Sequence, residues 1–254
     1  MLKTREKKRF SASFFSQGHC IEFWKKKGYN HVKERSGKQK KEKGPDIFGK
    51  RRSANMKDDR NEITERKSAG EFSELLRLRD GAVFERFEKD ADLSEYLREH
   101  VNVEKFLEYC KVCSNYRQNW SCSPFDFDPM TIWQDYRLFR VVTYRFCPEE
   151  GMNVSDAEKL ILRMKDVFMT DVRSMEEENA ESLALFAGTC NLCRECARIS
   201  GSPCRNPEKM RHSIESIGGD VGKTVKDLFD IDILWGTKDS LPEYYVLCGG
   251  LLMK

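Results

Sequence analysis

The sequence has no apolar run long enough to cross a membrane, and no apolar stretch follows its charged first nine residues, Met1–Arg9. A spanning helix needs about 20 predominantly apolar residues, and a secretory leader needs an apolar segment behind its basic start. The expectation is a soluble, cytoplasmic protein with no membrane partner. No internal repeat of fixed period occurs. The 4 histidines are His19, His31, His100 and His212, and no Ser/His/Asp or Cys/His nucleophile arrangement can be assembled. A phosphate-binding loop is also missing. Gly218–Thr224 (GGDVGKT) resembles one, but the motif needs Gly five residues before Gly222, where Ile217 stands, and it needs a preceding strand.

The chain does contain 10 cysteines. In a reducing compartment they are not expected to form a disulfide framework. Clustered thiols there indicate metal ligands or redox centres. The net charge of +3 conceals a split. Residues 1–55 carry 17 Lys and Arg against 5 Asp and Glu, which leaves 28 basic against 37 acidic residues in the remainder. The stretch Lys33–Arg52 is basic and punctuated by Gly and Pro. It holds too little apolar surface to offset its ordering entropy. Residues 1–69 are therefore assigned to a basic, disordered extension. Three readings of it stand: a solvated tail, an arm that binds nucleic acid through phosphate neutralisation, or, before Met56, a segment foreign to the native protein. Residues 70–254 form the cysteine-rich, metal-binding domain.

Within that domain the expected class is α+β: a small mixed sheet with packed helices and two cysteine-rich metal-binding loops. Phe72–Phe87 has apolar residues at helical spacing, broken at Gly81. Asp92 with Glu95 makes a capping box for a helix to Val101, and Asn102 caps the next, which delivers Cys110. Leu138–Phe146 is β-branched and aromatic and reads as a strand. Ser155 with Glu158 opens a long helix, and a second helical piece spans Ala180–Gly188. Asn206-Pro207 starts another helix that Gly218 ends. Glu243–Met253 is a closing strand.

The thiols fall into two groups. Cys190, Cys193, Cys196 and Cys204 are spaced C-x2-C-x2-C-x7-C. A [4Fe–4S] cluster needs thiolates converging on its corners, and a C-x2-C-x2-C run supplies three from one turn. Zinc sites more often pair two separated C-x2-C knuckles, so zinc is the alternative metal. Cys110, Cys113 and Cys122 form the other group, C-x2-C-x8-C, one short of a closed four-ligand site. Cys147 is a candidate fourth ligand. An open position for water, substrate or a small ligand is the alternative, and Cys147 is then a buried, unbound thiol. Cys248 reads as a core residue. His212 reads as a surface helix residue or a partner of a cluster sulfur, and Arg205 as a counter-charge or a plain surface residue. Tyr116, Trp120 and Phe125 read as shields for the first group or as ordinary core.

The segments FLEYCKVCSNYRQNWSCSPFDFDP (Phe106–Pro129) and GTCNLCRECARISGSPCRNPEKMRHSIESIGGDV (Gly188–Val221) resemble the two signatures of a family of predicted metal-binding proteins catalogued as a domain of unknown function. The resemblance runs from about Asn102 to the C-terminus. It departs at Cys122-Ser123-Pro124, where the family has Cys-Pro-Pro, and at Arg211-His212-Ser213, where it has Arg-Pro-Ser. It implies metal at the two thiol sets and names no reaction. The leading expectation is an iron–sulfur protein with one or two [4Fe–4S] clusters, serving an unidentified redox partner protein by electron transfer or by ligand chemistry at a cluster. The alternative is a non-redox zinc or cluster module that binds protein or nucleic acid.

Overall fold

The computed structural model describes residues 60–63, 72–78, 81–237 and 240–254. The basic stretch 1–55, with its three readings, lies outside the described residues. Among the described residues, six strands form one sheet in the order β1-β2-β3-β4-β6-β5. They are β1 (Arg60–Ile63), β2 (Phe72–Leu78), β3 (Val83–Asp92), β4 (Leu138–Phe146), β5 (Ser182–Leu185) and β6 (Tyr245–Met253). Every pairing between these strands is antiparallel, so the α+β class holds while the sheet itself is antiparallel. β1 precedes residue 70 and pairs with β2. Among the described residues, five helices accompany the sheet: α1 (Leu93–His100), α2 (Val103–Lys111), α3 (Met130–Gln134), α4 (Val154–Glu178) and α5 (Val221–Phe229).

Both faces of the sheet are covered. Leu76, Phe84, Val142, Tyr144 and Leu251 pack on one face against Met164, Phe168 and Val172 of α4. Phe87, Phe139, Val141, Cys248 and Leu252 pack on the other against Leu93 and Tyr96 of α1, Trp133 of α3, and Val225 and Phe229 of α5. Gly249 lets α4 approach, since a Cβ there would meet the Phe168 ring at 2.9 Å.

The caps Asp92 and Asn102 accept from the backbone N–H groups of Glu95 and Lys105, as the sequence implied. β4 and β6 also stand where expected. Four assignments are corrected. Phe72–Phe87 is the β2–β3 hairpin rather than a helix, with Gly81 at its turn (φ 96°). Ala180–Gly188 contains β5 rather than a helix. α4 is capped by Asn153, which accepts from the Asp156 N–H, and not by Ser155. After Asn206 the chain makes turns, not a helix. Gly218 does end a helical segment, a short 3-10 turn at Glu215–Ile217, in the left-handed conformation.

Gly218 also fixes α2. A Cβ on it would stand 2.7 Å from the Val103 Cα. Its carbonyl accepts from the Asn102 N–H at 2.8 Å. α2 therefore starts against the 3-10 turn and carries Cys110 from there.

Candidate metal centre

The first thiol set is built by the end of α2 and the loop behind it. The Cys113 N–H donates to the Cys110 carbonyl at 3.1 Å. The chain reverses at Arg117, whose φ is 62°. The Arg117 N–H then donates to the Ser123 carbonyl at 2.9 Å, which returns Cys122 toward the other two thiols. Cys113 is exposed, and Cys110 and Cys122 are half-buried. Burial pushes the Cys110 thiol up and the Cys122 thiol up to about 11, and neighbouring thiols of the set add to both shifts. A cavity of about 150 Å³ opens beside this loop, between Val103 and Leu107 of α2 and Pro124, Phe125 and Phe127.

The second set wraps a single pocket. Cys190, Cys193, Cys196 and Cys204 all line it, with Trp120, Asn206 and Met210. A short 3-10 turn, Ala197–Ser200, follows Cys196 and ends at Gly201 (φ 69°). The Ser202 N–H donates to the Ala197 carbonyl at 3.0 Å, so the chain doubles back and Cys204 rejoins the pocket. Burial is the chief cause that raises the Cys190 thiol, and Cys204, Cys193 and Cys196 add to it.

Asn206 does not cap a helix. Its side-chain amide donates to the Cys193 sulfur at 3.2 Å. Arg205 is exposed, and its guanidinium donates to the Glu195 carbonyl at 2.8 Å, bracing the loop. Trp120 stands within the first set in sequence, between Cys113 and Cys122, yet lines the second set's pocket.

The two loops touch. The Asn119 amide donates to the Cys190 carbonyl at 2.9 Å, and the Cys190 N–H donates to the Ser121 hydroxyl at 3.0 Å. His212 lies in no helix and is half-buried. Its Nδ1 is 3.1 Å from the Ser121 carbonyl, its ring packs edge-on against Phe125, and burial lowers its pKa. Lys165 of α4 donates to the Thr189 carbonyl at 3.0 Å. Burial lowers its pKa, while Glu215 and the Cys122 and Cys190 thiols oppose the shift. Burial raises the Glu215 carboxyl, whose Oε2 has no hydrogen-bond partner among the described residues.

Cys147 follows β4 and packs against the core on the α1 and α5 side of the sheet. Cys248 is buried in β6 opposite Thr143, and burial pushes its thiol up to about 12. Among the described residues, no three His, Cys, Asp or Glu side chains converge on the position of one ion. In GGDVGKT, Asp220 caps α5 by accepting from the Lys223 N–H, Lys223 pairs with Asp227, and the Thr224 hydroxyl meets the Tyr96 hydroxyl at 2.8 Å. Those side chains are committed to the fold. Among the described residues no helix is long and apolar enough to cross a membrane.

Sequence spacing revealed the thiols but not Asn119, Ser121, Lys165, Arg198 or Glu215. Asn206 was visible only as a cap. None of these has a spacing rule tying it to a thiol across the chain.

Two loops of clustered thiols on an antiparallel α+β frame define a candidate metal-binding protein. The chain belongs to the family of predicted metal-binding proteins (DUF2284), whose model matches residues 98–253, more than half of the sequence. No curated protein and no solved structure matches it.

Proposed function

We propose that the protein is an iron–sulfur protein with a [4Fe–4S] cluster held by Cys190, Cys193, Cys196 and Cys204. The supporting observation is that these four thiols, from one C-x2-C-x2-C-x7-C run, line one pocket. Zinc holds thiolates about 2.3 Å from one centre, which draws them to within about 4 Å of each other. A cubane takes its thiolates at separate corners, and a C-x2-C-x2-C run supplies three of them from one turn. The bound cluster would supply one-electron chemistry. The Asn206 donor to Cys193 and the partial burial of the pocket would tune its potential.

Cys110, Cys113 and Cys122 form a second, three-thiol centre in this reading. Three thiols are one short of a closed four-ligand site, which supports ligand chemistry at an open position there. A redox partner protein would exchange electrons at this end of the molecule. The second reading, a structural zinc module, rests on the same thiols, since zinc also takes four thiolates.

Iron, sulfide and zinc analysis of protein purified without oxygen, with a visible spectrum, decides between them. Near-stoichiometric iron and sulfide with a broad band bleached by dithionite is the expected result. Colourless protein containing zinc alone would overturn it. An iron count of one cluster or two would report whether the first set is occupied.

A further inference from the structure

Arg198 stands two residues beyond Cys196, in the 3-10 turn of the second thiol loop. Its side chain, however, belongs to the first loop. Nη1 donates to the Asn119 carbonyl at 2.8 Å and to the Cys122 carbonyl at 2.5 Å. Nη2 donates to the Pro124 carbonyl at 2.5 Å. The guanidinium lies 4.9 Å from the centre of the Trp120 ring.

Residues 119–124 are in neither helix nor strand. Carbonyls there have no ladder to join and rely on turns and side chains for donors; the Asn119 carbonyl also accepts from the Cys122 N–H at 3.0 Å. Arg198 serves three of them at once, which its fixed fork of five N–H groups permits and a lysine ammonium does not reproduce. One of the three is the carbonyl of Cys122 itself. The position of that thiol is thus set by a side chain whose own backbone is set by the second loop.

We infer that Arg198 is a positioning residue coupling the two thiol sets: filling the Cys190 pocket fixes Arg198, and Arg198 fixes Cys122 for the first set. This rests on the proposal that the Cys190 set holds a metal centre, but not on which metal. With the second set empty, its 190–204 loop is held by backbone and side-chain hydrogen bonds alone, and the guanidinium is free to leave the three carbonyls. With it filled, four ligand bonds fix the same loop. Coupling of this kind is reciprocal, so occupancy of the first set strengthens the second by the same factor.

The test uses full-length protein carrying Cys110→Ser and Cys113→Ser, so that the first set holds no metal while Cys122 remains as a reporter. One sample is reconstituted without oxygen with ferrous iron and sulfide, another is loaded with zinc, and both are desalted. The alkylation rate of Cys122 is then followed by peptide mass mapping. Loading should slow Cys122 alkylation by about tenfold or more, within the range of ordinary allosteric couplings. With Arg198→Met added, loading should change the rate by less than about twofold. Arg198→Lys, which keeps the charge and should fold even if the methionine variant does not, should give intermediate protection.

Equal protection in the arginine and methionine proteins would overturn the inference, as would full protection in the lysine protein. Protection that appears only with zinc would keep the coupling and sink the iron–sulfur reading. A stable iron–sulfur centre that leaves Cys122 fully reactive would do the reverse. If neither metal is retained at the second set, both fall together.

Discussion

The indole N–H of Trp120, in the first cysteine loop, donates to the carbonyl of Ser202 in the second at 3.0 Å. The same ring lines the pocket of the four thiols. An iron–sulfur centre held there, as proposed, would lie close enough to quench the fluorescence of Trp120. Trp120→Phe should remove that part of the emission change on reconstitution and cost about 1 kcal/mol for the lost hydrogen bond. Fluorescence before and after loading measures the first effect, and urea unfolding the second. An unchanged response in the variant would place Trp120 away from the centre.

Metal uptake should strengthen with pH. A thiol must lose its proton to become a ligand. Cys122 is pushed up to about 11, and Cys110 and Cys190 are also raised, chiefly by burial. Below those values each binding thiol releases a proton, so each contributes about a tenfold gain in affinity per pH unit. Competition against a chelator from pH 6.5 to 8.5 measures the slope. A flat profile would mean that the thiols are already ionised in the apo-protein.

Far from the thiols, Arg86 of β3 meets Asp171 of α4 at 2.8 Å, and the Tyr144 hydroxyl donates to the same carboxylate oxygen at 2.6 Å. All three side chains are buried. Asp171→Asn leaves the guanidinium in the core with one fewer anion. Breaking a buried pair costs about 3–5 kcal/mol. The low end is expected, because Glu88 still faces Arg86 at 2.8 Å. Urea unfolding of the variant gives the number, and a loss below about 1 kcal/mol would show that the pair is not what docks α4 on the sheet.

What could be read from the sequence was local. Asp92 and Asn102 announce their helices because a cap acts on an N–H three residues away. β4 is visible because it is rich in β-branched and aromatic residues, and β6 because a strand buried on both faces reads as an apolar run. The β2–β3 hairpin was hidden. Ser73, Glu74, Leu75 and Leu76 are all buried in succession, so no alternation remains to mark a strand. β5 is 4 residues long, too short to carry a period. At the site, the thiols show through their spacing. Arg198 and Lys165 reach carbonyls whose partners are chosen by tertiary structure, and no pattern along the chain records that.

The 3-10 turn carrying Arg198 also bears on how far the site can be moved. A peptide covering residues 188–221 would contain every thiol of the second set. It would lack the three carbonyls that Arg198 occupies, the indole that walls the pocket, and the lysine on α4 that holds the Thr189 carbonyl. The proposed centre would therefore not be a portable finger that could be grafted elsewhere with its ligands alone. It would be a joint property of segments about eighty residues apart, and a fragment that keeps only the cysteines would inherit the thiols without their setting.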